Sequence, residues 1–408
     1  MNFNYNKEFN GTVYYSGPYW DDKEINAAID TLKNGKWIVA GEKVNEFEKE
    51  FSKKFKVKHS QMVNSGSSAN LVMLAGLKKH YNWPDDAEVI VSPVGFPTTI
   101  APIYQNRLKP VFADIEMNTL NFDLHQVRKK ITNKTVAIFV SPVLGNPPDM
   151  YELEEIAIMN NIKLIGDNCD SLGSKWNDHY IHHHYIAWST SFYPAHHIST
   201  GEGGMVSTNN GELKRIFKSL TNWGRDCHCV GADNLLKDGT CGKRFSKWLE
   251  GYDKPIDHKY IFSNMGYNLK PLDLQGAIGL EQLKKFDEIA EKRRDNYKFI
   301  NSLFNDQFMI NPVKKLHRAD PCWFGVPFIS ANRQRVVKYL EENGIQTRNY
   351  FAGNILLHPG YSFLGEAKDY PNANRVLNEV FFIGCSPQYN EAHFKHIQEV
   401  IDNYDTNR

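Results

Sequence analysis

Short β-rich runs alternate with amphipathic segments between about residue 45 and residue 225. The runs predict seven strands, namely Gln61–Ser65, Glu88–Val94, Pro110–Glu116, Thr135–Leu144, Lys163–Asn168, Trp188–Tyr193 and Met205–Thr208. The segments between them predict helices, among them Asn45–Phe55, Ser68–Tyr81, Met150–Asn161 and Glu212–Trp223. Nearly continuous apolar strands that alternate with helices are typical of a mostly parallel sheet covered on both faces.

The C-terminal third of the chain has a different pattern. One long helical stretch is predicted from Leu272 to about Leu303, and two further helices over Arg333–Asn343 and Glu391–Tyr404, with fewer strands. We therefore predict a large α/β domain over residues 1–270, followed by a linking helix and a small C-terminal α+β domain over residues 271–408.

Composition and charge exclude several classes of protein. Of the 408 residues, 41% are hydrophobic and 13% aromatic, which is enough for a large core and excludes a disordered chain. The net charge of +1 leaves no broad basic field for nonspecific nucleic-acid binding. No apolar run reaches the roughly 18 residues of a membrane span, and the N-terminus shows no signal peptide. We expect a cytoplasmic protein with neither a membrane nor a nucleic-acid partner.

The segment Asn64–Asn70 is the first candidate for binding chemistry. It follows a predicted strand and opens a predicted helix, and it is rich in Ser and Gly. Free backbone N–H groups and the positive end of the helix make such a turn an anion site, typically for phosphate. The alternative is an ordinary serine N-cap.

The segment Gly166–Gly173 ends another apolar strand and carries Asp167. Ligands of α/β proteins sit at the carboxyl ends of parallel strands. An aspartate there can hold a protonated pyridine nitrogen by a charge-assisted hydrogen bond. The alternative is an aspartate that caps the next turn.

A third segment, Ser191–Gly204, carries His196 five residues before Gly201-Glu202-Gly203-Gly204. The three segments, in this order and spacing, resemble the DegT/DnrJ/EryC1/StrS family of sugar aminotransferases and dehydratases. The resemblance extends over nearly the whole chain and includes Gly35–Gly41 and Gly266–Lys270. It implies the aspartate-aminotransferase-like fold of the fold-type I pyridoxal-phosphate class. It also implies a homodimer with its active site at the subunit interface.

The same resemblance assigns roles to individual residues. The positions that it assigns to the cofactor are Gly66, Ser67, Phe96, Asp167, Asp170, Ser191 and Asn268. Phe96 would stack on the pyridine ring. The alternative is that Phe96 is a phenylalanine of the hydrophobic core. Asn268 would reach the phosphate held by the partner subunit. Arg348 and Phe351 would face the substrate. The alternative for Arg348 is a solvated surface charge without a binding role.

One departure from the family pattern decides the chemistry. The aminotransferases of the family have a lysine where this chain has His196. A lysine amine anchors the cofactor as a Schiff base, which an imidazole cannot do. The resemblance therefore implies noncovalent pyridoxamine 5′-phosphate, with His196 as the catalytic proton shuttle. This change is typical of the 3-dehydratases that act on nucleotide-linked 4-keto-6-deoxyhexoses.

The cysteines distinguish two kinds of 3-dehydratase. Cys169 and Cys227 are separated by 57 residues, Cys227 and Cys229 by one, and Cys229 and Cys241 by 11. This spacing resembles that of CDP-4-keto-6-deoxyglucose 3-dehydrase, except that the last interval is longer here. The resemblance implies that these four thiolates hold a [2Fe–2S] cluster. Three of them lie in a polar, poorly periodic loop over about residues 224–265. A structural zinc or buried free thiols are the alternatives.

The resemblance implies C3 deoxygenation of a nucleotide-linked sugar, with CDP-4-keto-6-deoxyglucose as the expected substrate, in the biosynthesis of 3,6-dideoxysugars of lipopolysaccharide O-antigen. Because the reaction consumes two electrons, an NAD(P)H-dependent iron–sulfur flavoprotein reductase is the expected partner. One alternative is a metal-free enzyme like GDP-4-keto-6-deoxymannose 3-dehydratase, which releases ammonia instead. Others are a sugar aminotransferase, against which His196 argues, and a noncatalytic regulatory relative.

Overall fold

The structure is a computed structural model that describes residues 8–227, 244–304 and 310–404. Its α-helices are α1 (Asp22–Asn34), α2 (Glu42–Lys54), α3 (Gly66–Tyr81), α4 (Pro97–Gln105), α5 (Leu124–Lys130), α6 (Met150–Met159), α7 (Gly211–Thr221), α8 (Asp273–Lys284), α9 (Phe286–Leu303), α10 (Arg333–Glu342), α11 (Pro371–Glu379) and α12 (Glu391–Asp402). Short 3-10 helices cover Ile181–His184, His258–Tyr260, Ile355–Leu357, Ser362–Leu364 and Ala367–Asp369.

The strands of the described residues form a large sheet, a smaller sheet, a short three-stranded sheet and a two-stranded pairing. They are β1 (His59–Val63), β2 (Glu88–Val91), β3 (Lys109–Phe112), β4 (Thr135–Val140), β5 (Lys163–Asp167), β6 (Lys175–Trp176), β7 (His179–Tyr180), β8 (Ala187–Ser191), β9 (Gly204–Thr208), β10 (Lys247–Trp248), β11 (Pro255–Ile256), β12 (Ile310–Pro312), β13 (Ala319–Asp320), β14 (Gly325–Ser330), β15 (Thr347–Asn349) and β16 (Val380–Gly384). The short three-stranded sheet has the order β13-β6-β7, and the two-stranded pairing joins β10 and β11.

The large sheet has seven strands in the order β1-β9-β8-β5-β4-β2-β3. Strand β9 is antiparallel to both of its neighbours, and the remaining pairings are parallel. Each of the seven predicted strands overlaps one strand of this sheet. The predicted α/β fold class is confirmed, because the apolar runs are buried between helices that cover both faces of the sheet.

Aromatic side chains fill one face of the large sheet. Phe47, Phe51 and Phe55 recur every four residues along α2 and its end, and all three are fully buried. Their rings pack edge-on against Trp188, within β8, and against Phe192, which directly follows this strand. Burial of one such side chain stabilises a fold by about 1.5–3 kcal/mol. Helix α2 therefore fixes the position of the loop that follows β8.

The smaller sheet is antiparallel, with the strand order β12-β14-β16-β15. Its separate core includes Ile300 from α9, Phe328 from β14, Phe381 from β16 and Ile397 from α12. The two sheets and their cores agree with the predicted large α/β and small α+β parts. The predicted boundary near residue 270 stays a prediction.

The long helix predicted from Leu272 to about Leu303 is two helices, α8 and α9. The chain breaks at Lys285, whose ammonium lies 2.9 Å from an oxygen of Asp21 and 2.8 Å from one of Glu24. Helix α8 packs on α1 and α2, whereas α9 packs on β14 and α12. After the break, α9 runs from the core of the large sheet, which contains Phe286 and Ile289, to the core of the smaller sheet, which contains Ile300. A continuous apolar periodicity does not reveal such a break. No helix within the described ranges has the length and apolar character to cross a membrane.

Candidate active site

A cavity of about 970 Å³ lies between the carboxyl edge of the large sheet and the edge strand of the smaller sheet. The segments that follow β1, β2, β4, β5 and β8 form one wall, and β15, Phe351 and Phe382 form the other. The cavity is therefore where the carboxyl-end rule expects a ligand. The sequence-predicted residues that line it are Gly66, Ser67, Phe96, Asp167, Cys169, Asp170, Ser191, His196, Arg348 and Phe351.

The turn before α3 opens into this cavity. Ser65 is the N-cap, and its hydroxyl accepts a hydrogen bond from the backbone N–H of Ser68 at 3.1 Å. A Cβ atom on Gly66 would lie 2.5 Å from Cβ of Ser191. Only glycine lets the helix start this close to the end of β8, and the first backbone N–H groups of α3 stay available for an anion.

The carboxylate of Asp167, at the end of β5, has three hydrogen-bond donors. Nδ2 of Asn70 lies at 2.8 Å, Oγ1 of Thr99 at 2.6 Å and the backbone N–H of Cys169 at 3.2 Å. Ser189 in turn donates to Oδ1 of Asn70 at 2.5 Å, which fixes the amide orientation. These bonds hold the carboxylate in one orientation at the floor of the cavity.

His196 lies beside Asp170 in the cavity wall. Its Nδ1 is 3.4 Å from Oδ1 of Asp170 but makes no hydrogen bond, and the imidazole is 15% exposed. Burial and the nearby charge of Arg293 lower the pKa of His196 to about 3. Burial and the charge of Asp167 raise the pKa of Asp170 well above its usual range. The imidazole is therefore neutral near pH 7.

Arg293, on α9, is a buried residue of the site that the sequence analysis did not single out. Its guanidinium donates to the backbone carbonyls of Ala195 at 3.4 Å and His196 at 3.3 Å, and to those of Trp323 at 3.3 Å and Phe324 at 3.1 Å. It thereby ties the His196 loop to the chain that enters β14. Helical periodicity offered only a weak signal, since the buried face of α9 that carries Arg293 also carries the polar Asn296.

The cavity wall on the side of the smaller sheet carries aromatic rings and one cationic side chain, that of Arg348. Phe351 has a left-handed backbone with φ +45°, and its ring meets Phe96 edge-on at 5.8 Å. Phe96 is half exposed although it is a large aromatic residue, because its ring faces the cavity. Arg348 also lines the cavity, and its Nη1 donates to the backbone carbonyl of Thr347 at 2.7 Å.

The structure does not bring every predicted residue into this cavity. Asn268 is exposed and lies outside the cavity lining of its own chain. Cys169 lines the cavity floor, whereas Cys227 lies elsewhere, at the last described residue before a gap. Cys229 and Cys241 lie outside the described residues. Within residues 8–227, 244–304 and 310–404, no group of three or more His, Cys, Asp or Glu side chains could hold a metal ion.

Three of the site residues that the sequence analysis missed share one property. Asn70, Thr99 and Arg293 act through hydrogen bonds to partners far away in the chain. Asn70 ends the segment Asn64–Asn70, and Thr99 lies three residues after Phe96. A buried polar side chain at an apolar helix position was the available signal. Tyr15 was missed too, because it lies outside every motif.

Comparison with known proteins agrees with the geometry. Residues 18–402 match the family model described as the DegT/DnrJ/EryC1/StrS aminotransferase family. The chain is 40% identical over 400 residues to dTDP-4-dehydro-2,6-dideoxy-D-glucose 3-dehydratase of Saccharopolyspora spinosa, covering 95% of this chain and 85% of that protein. It is 37% identical over 407 residues to lipopolysaccharide biosynthesis protein RfbH of Salmonella typhimurium, covering 95% and 91%.

A solved structure is similar over the same range. The Escherichia coli GDP-4-keto-6-deoxy-D-mannose-3-dehydratase with bound hydrated PLP superposes with a TM-score of 0.83 at 30% sequence identity. The match covers 95% of this chain and 99% of that one. The large sheet, the small sheet and the cavity between them therefore belong to a fold that holds a pyridoxal cofactor in a similar protein.

Proposed function

This chain belongs to the DegT/DnrJ/EryC1/StrS aminotransferase family, and from that premise we propose that it is a pyridoxamine-phosphate-dependent 3-dehydratase of a nucleotide-linked 4-keto-6-deoxy sugar. The observation that carries the proposal is His196. A histidine lines the cavity at the position where the family's aminotransferases have their anchoring lysine. Relatives whose names include a sugar 3-dehydratase activity support the same reaction class.

The residues of the cavity fit such a cofactor. The close approach of Gly66 to Ser191 leaves a cradle at the start of α3 for a phosphate group. The oriented carboxylate of Asp167 is suited to a protonated ring nitrogen, and the exposed face of Phe96 to a flat ring. When bound, pyridoxamine phosphate supplies the amine that condenses with the C4 ketone and a ring that withdraws electrons.

The side chains then have distinct tasks. Asp167 keeps the proton on the ring nitrogen. His196, which is neutral near pH 7, takes a proton from the cofactor's C4′ carbon and gives one to the departing C3 hydroxyl. Asp170 lies 3.4 Å from the imidazole and can orient it as the ring gains charge. The half-enclosed cavity limits access of water to these groups.

Two substitutions of His196 test this assignment. His196→Asn should bind pyridoxamine phosphate as wild type does but lose exchange of the C4′ hydrogen with deuterated solvent, measured by NMR. His196→Lys should gain a covalent link to pyridoxal phosphate that absorbs in the visible and is fixed by borohydride. Undiminished C4′ exchange in His196→Asn would refute the proton-shuttle role.

We further propose that Cys169, Cys227, Cys229 and Cys241 hold a [2Fe–2S] cluster, on the strength of their spacing alone. Such a cluster passes electrons singly, so the proposal includes an NAD(P)H-dependent iron–sulfur flavoprotein reductase as partner. Anaerobically prepared protein should contain about two iron and two sulfide per chain. Cys227→Ser should lose both, whereas Cys385→Ala, a buried cysteine outside the pattern, should keep them.

A second candidate is a metal-free dehydratase that hydrolyses its product and releases ammonia. The similarity to the GDP-4-keto-6-deoxy-D-mannose-3-dehydratase favours it. Stoichiometric ammonia release by iron-free protein without any reductase would establish it. Net deoxygenation that depends on the reductase would exclude it.

The carrier nucleotide follows from resemblance alone, and we propose CDP. The relatives' names include dTDP- and GDP-linked sugars, so all three nucleotides belong in one competition experiment. The 4-keto-6-deoxyglucose derivative that is converted with the highest kcat/KM identifies the carrier, and a dTDP or GDP derivative in first place would correct the proposal.

A homodimer is supported by an exposed apolar strip made of Trp37, Ile38, Trp223, Phe262, Met265 and Leu272. Backbone hydrogen bonds join its parts: Asp273 donates to Ile38, and Trp223 to Tyr267. Asn268 lies in the same stretch of chain, and we propose that it serves the partner's cavity. Met265→Arg should convert a dimer to a monomer in light scattering and weaken cofactor binding. Ile158→Arg, on an exposed apolar residue outside the strip, should do neither.

A further inference from the structure

The N-terminal segment Val13–Ser16 is fixed against the smaller sheet by hydrogen bonds at both ends. The backbone N–H of Val13 donates to the carbonyl of Gly344 at 2.7 Å, and that of Gln346 donates to the carbonyl of Val13 at 3.0 Å. The hydroxyl of Tyr389 donates to the carbonyl of Tyr14 at 2.6 Å. The segment therefore adds to the sheet edge immediately before β15, which carries Arg348.

The same segment contacts the loop of the catalytic histidine. Oγ of Ser16 donates to the backbone carbonyl of Ala195 at 2.7 Å, one residue before His196. A Cβ atom on Gly384 would lie 2.3 Å from the carbonyl oxygen of Tyr15, so the segment also lies directly on the end of β16. Tyr15 lies between these contacts, where the cavity wall formed by the large sheet meets the wall formed by the smaller sheet.

The side chain of Tyr15 stacks on Arg348 inside the cavity. The guanidinium carbon of Arg348 lies 4.2 Å from the centroid of the Tyr15 ring, well within the roughly 6 Å range of a cation–π contact. The tyrosine ring also meets Phe382 edge-on at 6.2 Å. Both Tyr15 and Arg348 line the cavity. No described Asp or Glu side chain lies within 4.0 Å of this guanidinium.

A guanidinium whose face is covered by a ring keeps its N–H edge free. That edge presents donors in a planar fork that matches the oxygens of a phosphate group. In Arg348 one donor is used by the carbonyl of Thr347, which fixes the plane of the group further. The uncompensated charge is therefore oriented and points into a cavity that is already assigned to an anionic substrate.

We propose that Tyr15 is a positioning residue for substrate binding: its ring holds the Arg348 guanidinium in the orientation that binds the diphosphate of the nucleotide sugar. This inference rests on the function proposed above and adds to it a residue outside all of the family motifs. Tyr15 acts through Arg348 and not on the reacting atoms, so it affects binding and leaves the chemical step unchanged.

Calorimetric titration of the pyridoxamine-phosphate-loaded protein with CDP, GDP and dTDP tests the role of Tyr15. Tyr15→Leu should raise the dissociation constant of the nucleotide that wild type binds by about 3- to 20-fold. Tyr15→Phe should bind like wild type, because the hydroxyl of Tyr15 makes no described hydrogen bond. In turnover, Tyr15→Leu should raise KM by a similar factor while kcat stays within about twofold.

A double-mutant cycle separates positioning from a general structural effect. In an Arg348→Gln background, Tyr15→Leu should cause no further loss of nucleotide affinity, since the group that it orients is gone. Tyr104→Leu, at an exposed tyrosine outside the cavity, should leave binding unchanged in either background.

Equal nucleotide affinity of Tyr15→Leu and wild type would overturn this inference and leave the proposed function intact. So would an equal loss with and without Arg348. Wild-type protein that loads with cofactor but binds none of the three nucleotides would refute the proposed substrate class and this inference together.

Discussion

The chemistry of the candidate site depends on the carboxylate of Asp167. It is buried, and its three donors come from α3, α4 and the turn after β5. A buried carboxylate without partners is costly, so each donor both stabilises the empty protein and orients the group for a ring nitrogen.

Removing one donor should therefore destabilise the protein. Thr99→Val keeps the shape of the side chain but deletes the hydroxyl that lies 2.6 Å from Asp167. We expect the free energy of unfolding, measured in urea, to fall by about 1.5–3 kcal/mol. Thr99→Ser retains the hydroxyl and should lose much less. Equal losses in the two variants would show that the hydrogen bond contributes nothing.

A second prediction for a single residue concerns Gly66. An added methyl group would lie 2.5 Å from Cβ of Ser191 and 3.0 Å from Sγ of Cys169. Gly66→Ala should displace the start of α3, cost about 1–3 kcal/mol of stability and weaken cofactor binding at least tenfold. The control Gly360→Ala adds a methyl group in open space and should change neither quantity.

Helix α11 shows how one element of the small domain is fixed by the large sheet. The residue before it, Tyr370, provides no side-chain cap. Asp114, just beyond the end of β3, instead accepts hydrogen bonds from the backbone N–H groups of Asn372 at 3.0 Å and Ala373 at 2.9 Å. A carboxylate at this helix end is also favoured by the helix dipole.

The loss of this cap should be measurable as stability. Asp114→Ala removes the acceptor of two backbone N–H groups, one buried and one partly buried, and should lower the free energy of unfolding by about 1–2 kcal/mol. Asp114→Asn keeps an acceptor oxygen and should lose a smaller part. If urea titrations give both variants the same stability as wild type, the cap has no energetic role.

The whole molecule carries several buried histidines, which couples its stability to pH. The ring of His182 stacks on Trp188 at 4.3 Å and on Tyr180 at 5.1 Å, and burial lowers its pKa to about 3. The pKa of His197 is lowered as well, by burial and by the charge of Arg293. In the unfolded chain a histidine has a pKa of about 6.5.

Stability should therefore fall as the pH falls below about 6.5, because the unfolded state then binds protons that the folded state excludes. Urea titrations of wild type between about pH 7 and pH 5.5 should show this loss. In His182→Gln the free energy of unfolding should depend less steeply on pH. The control His179→Gln, at an exposed histidine, should show the same pH dependence as wild type. Equal slopes for all three proteins would contradict the prediction.

The sequence determined the parts of this protein that have a local signature. Apolar runs with short spacing gave the seven strands of the large sheet, and motifs at strand ends gave Gly66, Asp167, Ser191 and His196. The substitution of histidine for the family's lysine is visible without any structure, and it decides which chemistry is proposed. The cysteine spacing is likewise a property of sequence alone, and the iron–sulfur proposal still depends on it.

The tertiary structure decided which residues act together. Asn70 and Asp167 are 97 positions apart, and Ser16 and Ala195 are 179 apart. Periodicity reports only which face of a helix or strand is buried, so it cannot pair such residues or show that α8 and α9 separate at Lys285. The stacking of Tyr15 on Arg348 exists only because the N-terminal segment lies along the small sheet, where both side chains reach one cavity.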